Sequence, residues 1–306
     1  MAAAYRVGID APDDLFAGAS CAFGVFDGVH RGHRFLLDRA REQARRLSGR
    51  FIVITFDIDP DERFHPERLK KLMSNEARIA ELSELADAVA ILPFTAELAG
   101  SSPDAFLNAT FESSVPAAVH VGCDLRFGAH AAGTVADLRR WGGAHGMEVR
   151  SHELFEMEGA PITATRIRLL LEDGRIEDAN RLLGRRYSLR GTVLAGRGEG
   201  ADMGFRTANL VVPDILRVLG DGVYAAYALV GGARYKAAVN VGVAASFADR
   251  ATATCEAHLL DFEGDLYGEE VELEFAAWLR PMRKFDDIDE LIATVMGNIQ
   301  WVRDNL

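Results

Sequence analysis

The chain has 306 residues, 49% of them hydrophobic, with a formal net charge of −12 at pH 7 and a pI near 5.2. This length and apolar content suffice for two ordinary hydrophobic cores. The acidic balance argues against a nucleic-acid binder or a protein of anionic membranes, because both partners require a basic face. We therefore expect small-molecule partners, no nucleic acid and no membrane, and we expect any homo-oligomer to be weak.

Three features of the sequence indicate the cellular compartment of the protein. No apolar run approaches the roughly 20 residues of a membrane span, and the first ten residues, MAAAYRVGID, lack a basic segment followed by an apolar one. The three cysteines, Cys21, Cys123 and Cys255, are odd in number and far apart, which fits a reducing compartment without a disulfide framework. We expect a cytoplasmic protein.

Residues 1–184 alternate between strand and helix patterns. Helical patterns occur over 35–47, after a capping Ser74, and from Ser102 and Pro103 onward. This alternation predicts an α/β domain, a Rossmann-like doubly wound parallel sheet that binds ligands at the carboxyl ends of its strands. The predicted strands are short apolar runs of the kind that form buried parallel sheets: 20–26, 51–56, 88–92 and 119–122.

Residues 187–306 follow a different pattern, with short alternating or β-branched runs separated by turns. Gly231 and Gly232 mark a tight hairpin. Apolar positions at helical spacing from Ile288 to Val302 indicate one closing helix. We predict a small antiparallel β-barrel closed by that helix. Its predicted strands are 187–194, 209–212, 223–230, 235–241, 252–262 and 271–279.

The segment 24–33 reads GVFDGVHRGH and joins the first strand of this pattern to a helical stretch from Arg34. Glycines let backbone N–H groups approach phosphate oxygens, and the following helix directs its positive end at them. His30 and His33 are one helical turn apart and can face the same phosphate. Nucleotide transfer needs alignment and charge stabilisation rather than a covalent nucleophile. The nucleotide-binding candidates of this segment are Gly24, Phe26, Asp27, Gly28 and Gly32.

Two alternatives exist for this segment. One is a glycine-rich turn with two incidental histidines, and the other is a metal site built from Asp27, His30 and His33. Zinc sites usually include cysteines or further histidines at short spacing, and no CxxC or HxxxH accompanies this pair. The sequence therefore favours the nucleotide site.

The segment closely resembles the signature of the FMN adenylyltransferase module in prokaryotic bifunctional riboflavin kinase/FMN adenylyltransferases, also called FAD synthetases. TFDIDP at 55–60 and VGCDLRFG at 121–128 also resemble that family. The resemblance implies that Asp57 and Asp124 help to form the nucleotide and flavin pocket, whereas Asp59 stands where the family usually has histidine. A turn at a strand end is the alternative for each aspartate.

TATRIR at 163–168 begins a predicted helix and resembles the family pattern SSTRIR. Hydroxyl and N–H donors at a helix start, with arginines nearby, can hold the β- and γ-phosphates of ATP. The resemblance carries this role to Thr165, Arg166 and Arg168, with Arg168 as a catalytic candidate beside His30 and His33. A capped helix with solvated arginines is the alternative.

GRGEGADMGFRTANL at 196–210 resembles the riboflavin kinase motif, which implies that Thr207 and Asn209 ligate the Mg²⁺ of ATP. CEAHLLDFEGDLYG at 255–268 places Glu256 on the residue that serves as base toward the ribityl hydroxyl. The glycine candidates for binding are Gly196, Gly200 and Gly204.

The barrel half also departs from the family pattern. Arg206 replaces a proline, Ala201 replaces an arginine, and 240–247 lacks an Arg-Pro-Thr. The resemblance implies FAD biosynthesis from riboflavin, FMN and ATP with Mg²⁺, by phosphorylation and then adenylylation with release of pyrophosphate. The departures keep two alternatives open: a monofunctional FMN adenylyltransferase whose barrel only binds flavin or regulates, and a noncatalytic flavin-binding module.

Overall fold

The computed structural model describes residues 2–64, 70–111, 114–194, 206–216, 218–243, 253–285 and 287–306. The chain folds into two compact units. The first unit comprises Met1–Leu69 and Ser74–Thr163, and the second comprises Lys70–Met73 and Ala164–Leu306.

The first unit contains a six-stranded sheet in the order β1-β4-β3-β2-β5-β6, and every neighbouring pair is parallel. The predicted parallel sheet is confirmed. The predicted strands 51–56 and 88–92 have the observed bounds, whereas β2 ends three residues earlier than predicted. The six strands are β1 (Ala3–Arg6), β2 (Ser20–Phe23), β3 (Phe51–Phe56), β4 (Ala88–Leu92), β5 (Ala118–Gly122) and β6 (Glu148–His152).

Helices cover both faces of this sheet. Phe106 and Trp141 pack on the side that carries Cys21 and Val119, while α1 packs on β2, β3 and β5 from the opposite side. The predicted caps are confirmed, since the Ser74 and Ser102 side chains accept from N–H groups in the first turns of α3 and α5. The helices are α1 (Arg31–Leu47), α2 (Pro60–Phe64), α3 (Asn75–Leu85), α4 (Ala96–Ala99), α5 (Pro103–Thr110) and α6 (Val135–Ala144), and a short hairpin pairs β7 (Glu156–Met157) with β8 (Ala160–Pro161).

The loop after β2 lies at the point of the sheet where the strand order reverses. From β2 the chain proceeds to β3 and β4 on one side, and β5 and β6 lie on the other side. Ligands of open α/β sheets bind where the strand order reverses in this way, outside the carboxyl ends of the strands. The segment 24–33 therefore occupies the position where such a sheet binds its ligand.

The second unit contains a closed barrel in the order β10-β13-β12-β11-β14-β9. Gly231 and Gly232 form the predicted hairpin turn with φ of 54° and 84°. The buried Ala225 of β11 packs against Ile299 and Val302 of the last helix. The predicted barrel and closing helix are confirmed. The elements are α7 (Ala164–Glu172), α8 (Ile176–Leu183), β9 (Tyr187–Leu194), β10 (Ala208–Val211), β11 (Gly222–Val230), β12 (Ala233–Val243), β13 (Ala253–Leu259), β14 (Glu270–Arg280) and α9 (Ile288–Asn305). Within the described ranges, no helix is both long and apolar enough to cross a bilayer.

Candidate active sites

The loop after β2 has an unusual backbone. The Gly24 N–H donates to the Ile54 carbonyl at 3.1 Å, which ties the loop to β3. The chain then turns through Phe26 and Val29, whose φ angles of 62° and 38° lie in the left-handed region. Such conformations of non-glycine residues cost on the order of 1–3 kcal/mol each and persist only when the surroundings enforce them.

His30 and His33 form a stacked pair at the start of α1. Their ring centroids are 3.5 Å apart at an interplanar angle of 17°. His30 is the N-cap of α1, and its Nδ1 accepts from the His33 N–H at 3.2 Å. The helix therefore begins at Arg31 rather than at the predicted Arg34. The free N–H groups and positive dipole end of α1 thus lie beside two imidazoles.

The protonation of this pair follows from its surroundings. Burial, with His30 and Arg78 nearby, holds the pKa of His33 well below its ordinary value. His33 is therefore neutral at pH 7. Because Nδ1 of His30 accepts a hydrogen bond, the proton of that ring belongs on Nε2. His33 thus presents a neutral imidazole next to a helix N-terminus.

Space is tight around two glycines of the segment, and a third has a positive φ. A Cβ on Gly32 would lie 3.0 Å from the Ile162 carbonyl oxygen and 3.1 Å from the His30 ring. A Cβ on Gly24 would lie 3.2 Å from the Phe26 ring. Gly28 has a φ of 77°. A side chain at position 24 would press on the Phe26 ring, and one at position 32 would press on the His30 ring.

The candidate aspartates of the first unit differ in their surroundings. Oδ1 of Asp57 accepts from the N–H groups of Ile58 and Phe94, at 2.8 Å each, and so joins the chain after β3 to the chain after β4. The turn role named as the alternative is therefore present at Asp57. Asp27 is buried, and Asp124 is exposed after β5.

A buried arginine that the sequence patterns did not single out lies beside this loop. Arg78 on α3 is 1% exposed and donates to the Val25 and Phe56 carbonyls at the ends of β2 and β3. In the sequence it is one cation in a predicted helix, and arginine is ordinarily exposed, although its position four residues before Leu82 places it on the buried face of α3. Only the tertiary structure brings it to the strand ends.

The TATRIR segment lies in the second unit from Ala164 onward. It begins α7, as predicted, with Thr165 exposed and with Arg166 and Arg168 half-buried. Both arginines interact with other groups of the protein.

In the barrel, three polar residues lie side by side on adjacent strands. Glu256 on β13 is directly opposite Asn209 on β10 and directly opposite Asn240 on β12. Residues paired in this way share a face and have Cβ atoms about 4.5–5.5 Å apart. The carboxylate therefore lies between two amide side chains. The sequence predicted Asn209 and Glu256, but it gave no sign of Asn240 or of their common register.

Asn240 and Glu256 have polar atoms that can bind a ligand. Oδ1 of Asn240 is buried and has no hydrogen-bond partner within the described ranges. Glu256 is half-buried and forms no hydrogen bond or ion pair with the described part of the chain. A carboxylate in this state can accept a proton from an alcohol.

The segment before β10 is held by a neighbouring strand. His258 shares a strand face with Glu256, and its Nδ1–H donates to the Arg206 carbonyl at 2.8 Å. This bond fixes the chain just before Thr207, where the expected proline is missing. Thr207 itself is exposed.

Several predicted positions lie outside the described residues: Gly196, Gly200, Ala201, Gly204 and 244–247. Among the described residues, no group of three or more His, Cys, Asp or Glu side chains could hold a metal ion. The alternative metal site of Asp27, His30 and His33 is therefore not found.

Comparison with known proteins decides the family. A family model for FAD synthetase matches residues 14–166, and one for riboflavin kinase matches residues 183–306. A bifunctional riboflavin kinase/FMN adenylyltransferase of Listeria monocytogenes is 31% identical over 285 residues, covering 92% of this chain and 90% of the relative. The chain belongs to the bifunctional riboflavin kinase/FMN adenylyltransferase family. The family indicated by the sequence motifs is thus confirmed.

Other similarities are consistent with this family. Its Escherichia coli K12 member is 31% identical over 284 residues, covering 91% of this chain and 90% of the relative. A crystal structure described as a macrolide-efflux protein from Streptococcus pneumoniae matches with a TM-score of 0.85 and 27% identity over 100% of both chains. That structure supports the fold, while the family assignment follows from the sequence matches.

Proposed function

We propose that this chain makes FAD from riboflavin in two steps, first phosphorylating riboflavin to FMN and then adenylylating FMN. The observation that carries this proposal is the presence of both family domains in one chain. ATP serves as phosphoryl donor in the first step and as adenylyl donor in the second. We assign residues 1–184 to adenylyl transfer and 187–306 to the kinase, in the cytoplasm, with at most weak self-association.

In adenylyl transfer, a phosphate oxygen of FMN attacks the α-phosphorus of ATP in line with the leaving pyrophosphate. One O–P bond forms to FMN and the bond between the α- and β-phosphates breaks. The N–H donors of His30, His33 and the first turn of α1 bind the phosphate oxygens. Support comes from the stacking of the two rings at that helix start. We assign binding of the β- and γ-phosphate oxygens to Thr165, Arg166 and Arg168.

The pocket for the two substrates of adenylyl transfer is built from residues at the strand ends. The shape of its loop depends on the glycines at positions where a Cβ would clash and on the strained Phe26. The residues assigned to this pocket are Gly24, Phe26, Asp27, Gly28, Gly32, Asp57 and Asp124.

In the kinase step, the 5′-hydroxyl of riboflavin attacks the γ-phosphorus of ATP while Glu256 accepts the hydroxyl proton, and ADP leaves. Support comes from the absence of any described partner for this carboxylate and from the two asparagines beside it. The glycine-rich chain at Gly196, Gly200 and Gly204 is assigned to the nucleotide. Thr207 and Asn209 would hold Mg²⁺, since hydroxyl and amide oxygens with substrate phosphates are the donor set that this ion prefers. Bound there, Mg²⁺ would neutralise charge on the phosphates.

A second candidate function is FMN adenylylation alone. Arg206 favours it, because a cation next to Thr207 opposes the binding of Mg²⁺. In this case the barrel binds flavin without phosphorylating it.

Incubation of the purified chain with riboflavin, ATP and Mg²⁺, followed by chromatography of the flavins, separates the two functions. The bifunctional enzyme yields FMN and then FAD. The monofunctional enzyme leaves riboflavin unchanged, yet converts added FMN to FAD. Failure to convert either flavin contradicts both. A parallel reaction with excess EDTA tests whether a divalent ion is needed.

A further inference from the structure

We infer that Arg78 is a positioning residue for adenylyl transfer, because its buried guanidinium holds the loop of 24–29 in the shape that presents His33. This inference rests on the function proposed above. Arg78 is not assigned to substrate contact; it acts through the protein groups that it binds.

The contacts of Arg78 connect three elements. Nη1 donates to the Val25 carbonyl at 2.7 Å and to Thr55 Oγ1 at 2.5 Å. Nη2 donates to the Phe56 carbonyl at 2.8 Å and to Asn75 Oδ1 at 3.0 Å. One planar fork on α3 therefore joins the chain after β2 to the end of β3. A lysine cannot reproduce this geometry, since its ammonium is a compact point charge.

The Val25 carbonyl is the important acceptor because it belongs to the peptide that enters Phe26. Phe26 has a φ of 62°, and its ring packs edge-on against His33 with centroids 5.3 Å apart. The same carbonyl also accepts from Thr55 Oγ1 at 3.1 Å. The Arg78 guanidinium and the Thr55 hydroxyl thus both donate to the Val25 carbonyl. These two hydrogen bonds fix the strained peptide that precedes Phe26 and so set the position of the His33 ring. Loss of these donors would let Phe26 relax and shift the ring.

The charge of Arg78 has a separate effect. Its surroundings include the carboxylates of Asp59, Asp27, Glu62 and Asp57. These four acids lie near the strand ends where the polyanionic ATP is expected to bind, and like charges repel. The guanidinium offsets part of their charge. A neutral residue at 78 would therefore weaken ATP binding as well as loosen the loop.

Two substitutions separate geometry from charge. Arg78→Lys keeps the charge and loses the fork, so we expect kcat for FAD formation to fall about 10- to 100-fold, the scale of a small misplacement of a catalytic group. The KM for ATP should change little in this variant. Arg78→Gln loses both the positive charge and the planar guanidinium, so the KM for ATP should rise in addition to the fall in kcat. The assay follows FAD and pyrophosphate from FMN and ATP at varied ATP concentration.

The chain offers two controls for these variants. Phosphorylation of riboflavin, assigned to the second unit, should be unchanged in the same preparation. Arg41→Lys is the matched variant, because Arg41 Nη2 donates to the Leu85 carbonyl at the other end of α3 at 2.6 Å. We expect this control to keep FAD formation within about twofold of the unsubstituted chain.

Hydrogen exchange distinguishes positioning from a general loss of structure. In Arg78→Lys, exchange should accelerate in peptides covering 24–33 and remain unchanged in β4 and β5. Acceleration throughout the first unit would overturn the inference, as would an unchanged kcat. If Arg78→Lys does not fold, Thr55→Val decides instead: a lowered kcat supports the inference and an unchanged kcat overturns it. Absence of FAD formation by the unsubstituted chain would contradict the proposed function itself.

Discussion

His30 accepts a hydrogen bond from the backbone N–H of His33 while its ring stacks on the His33 ring at a centroid distance of 3.5 Å. One histidine therefore caps α1 and supports the other. The cap keeps Nδ1 of His30 unprotonated, and burial lowers the pKa of His33 so that its ring stays neutral. The cap and the stacking together fix the position of the two rings at this helix start.

Removal of the His33 imidazole is expected to abolish most of the adenylyl transfer. His33→Ala should lower kcat for FAD formation from FMN and ATP by about 10²- to 10³-fold, the loss typical of one donor to transition-state charge. The His30 cap of α1 can survive this change because it uses only the His33 backbone N–H. Riboflavin phosphorylation in the same sample is the control. Unaltered FAD formation would remove His33 from the site.

Gly32→Ala tests whether the packing of the His30 ring matters. The new methyl would approach the Ile162 carbonyl oxygen to 3.0 Å and the His30 ring to 3.1 Å, so one of them must move. We expect reduced FAD formation and a lower thermal midpoint. Gly143→Ala on α6 is the matched control, because a Cβ there meets nothing within 4 Å. The control should retain activity; equal behaviour of the two variants would refute the packing argument.

Glu256→Gln should stop riboflavin phosphorylation and leave FAD formation from FMN intact. The amide keeps the shape of the side chain but cannot accept the hydroxyl proton, and general-base removal typically costs about 10²- to 10⁴-fold. Glu270→Gln on β14, an exposed position of the same barrel, serves as control. If Glu256→Gln still phosphorylates riboflavin at the original rate, another group is the base.

Stability of the first unit should fall as the pH is lowered from about 6.5 to 4. Nδ1 of His120 lies 2.9 Å from Nε2 of His152, and burial lowers the pKa of His120 to about 4. Unfolded histidine binds a proton near pH 6.5, so the unfolded chain takes up protons that the folded chain excludes. The free energy of opening at β5 amides, measured by hydrogen exchange, should decline in this window and be steady above it. His120→Gln should reduce the slope; an unchanged slope contradicts the assignment.

Much of the fold was predictable because burial leaves a direct pattern in the sequence. The runs 51–56 and 88–92 are apolar except for Thr55, and every residue of both strands is buried. The edge strands β1 and β6 were not predicted, because their partly exposed residues carry no such run. The start of α1 was placed too late because the cap is a histidine, whose side chain is not among the usual capping residues.

The candidate sites were predictable only in part. Motifs indicated His30, His33, Asn209 and Glu256, yet the register that sets Glu256 opposite both Asn209 and Asn240 depends on strand pairing. Arg78 was not predicted, because arginine is ordinarily solvated, yet it lies on the buried face of α3 with Leu82. Long-range contacts of this kind arise from tertiary structure and leave no local pattern.

We propose that the first unit binds the phosphates of ATP through His30, His33 and the start of α1. A crystal structure with a nonhydrolysable ATP analogue and FMN measures this directly. We expect phosphate oxygens within hydrogen-bond distance of both imidazoles and of first-turn N–H groups. An analogue bound with its phosphates out of reach of these rings would contradict it.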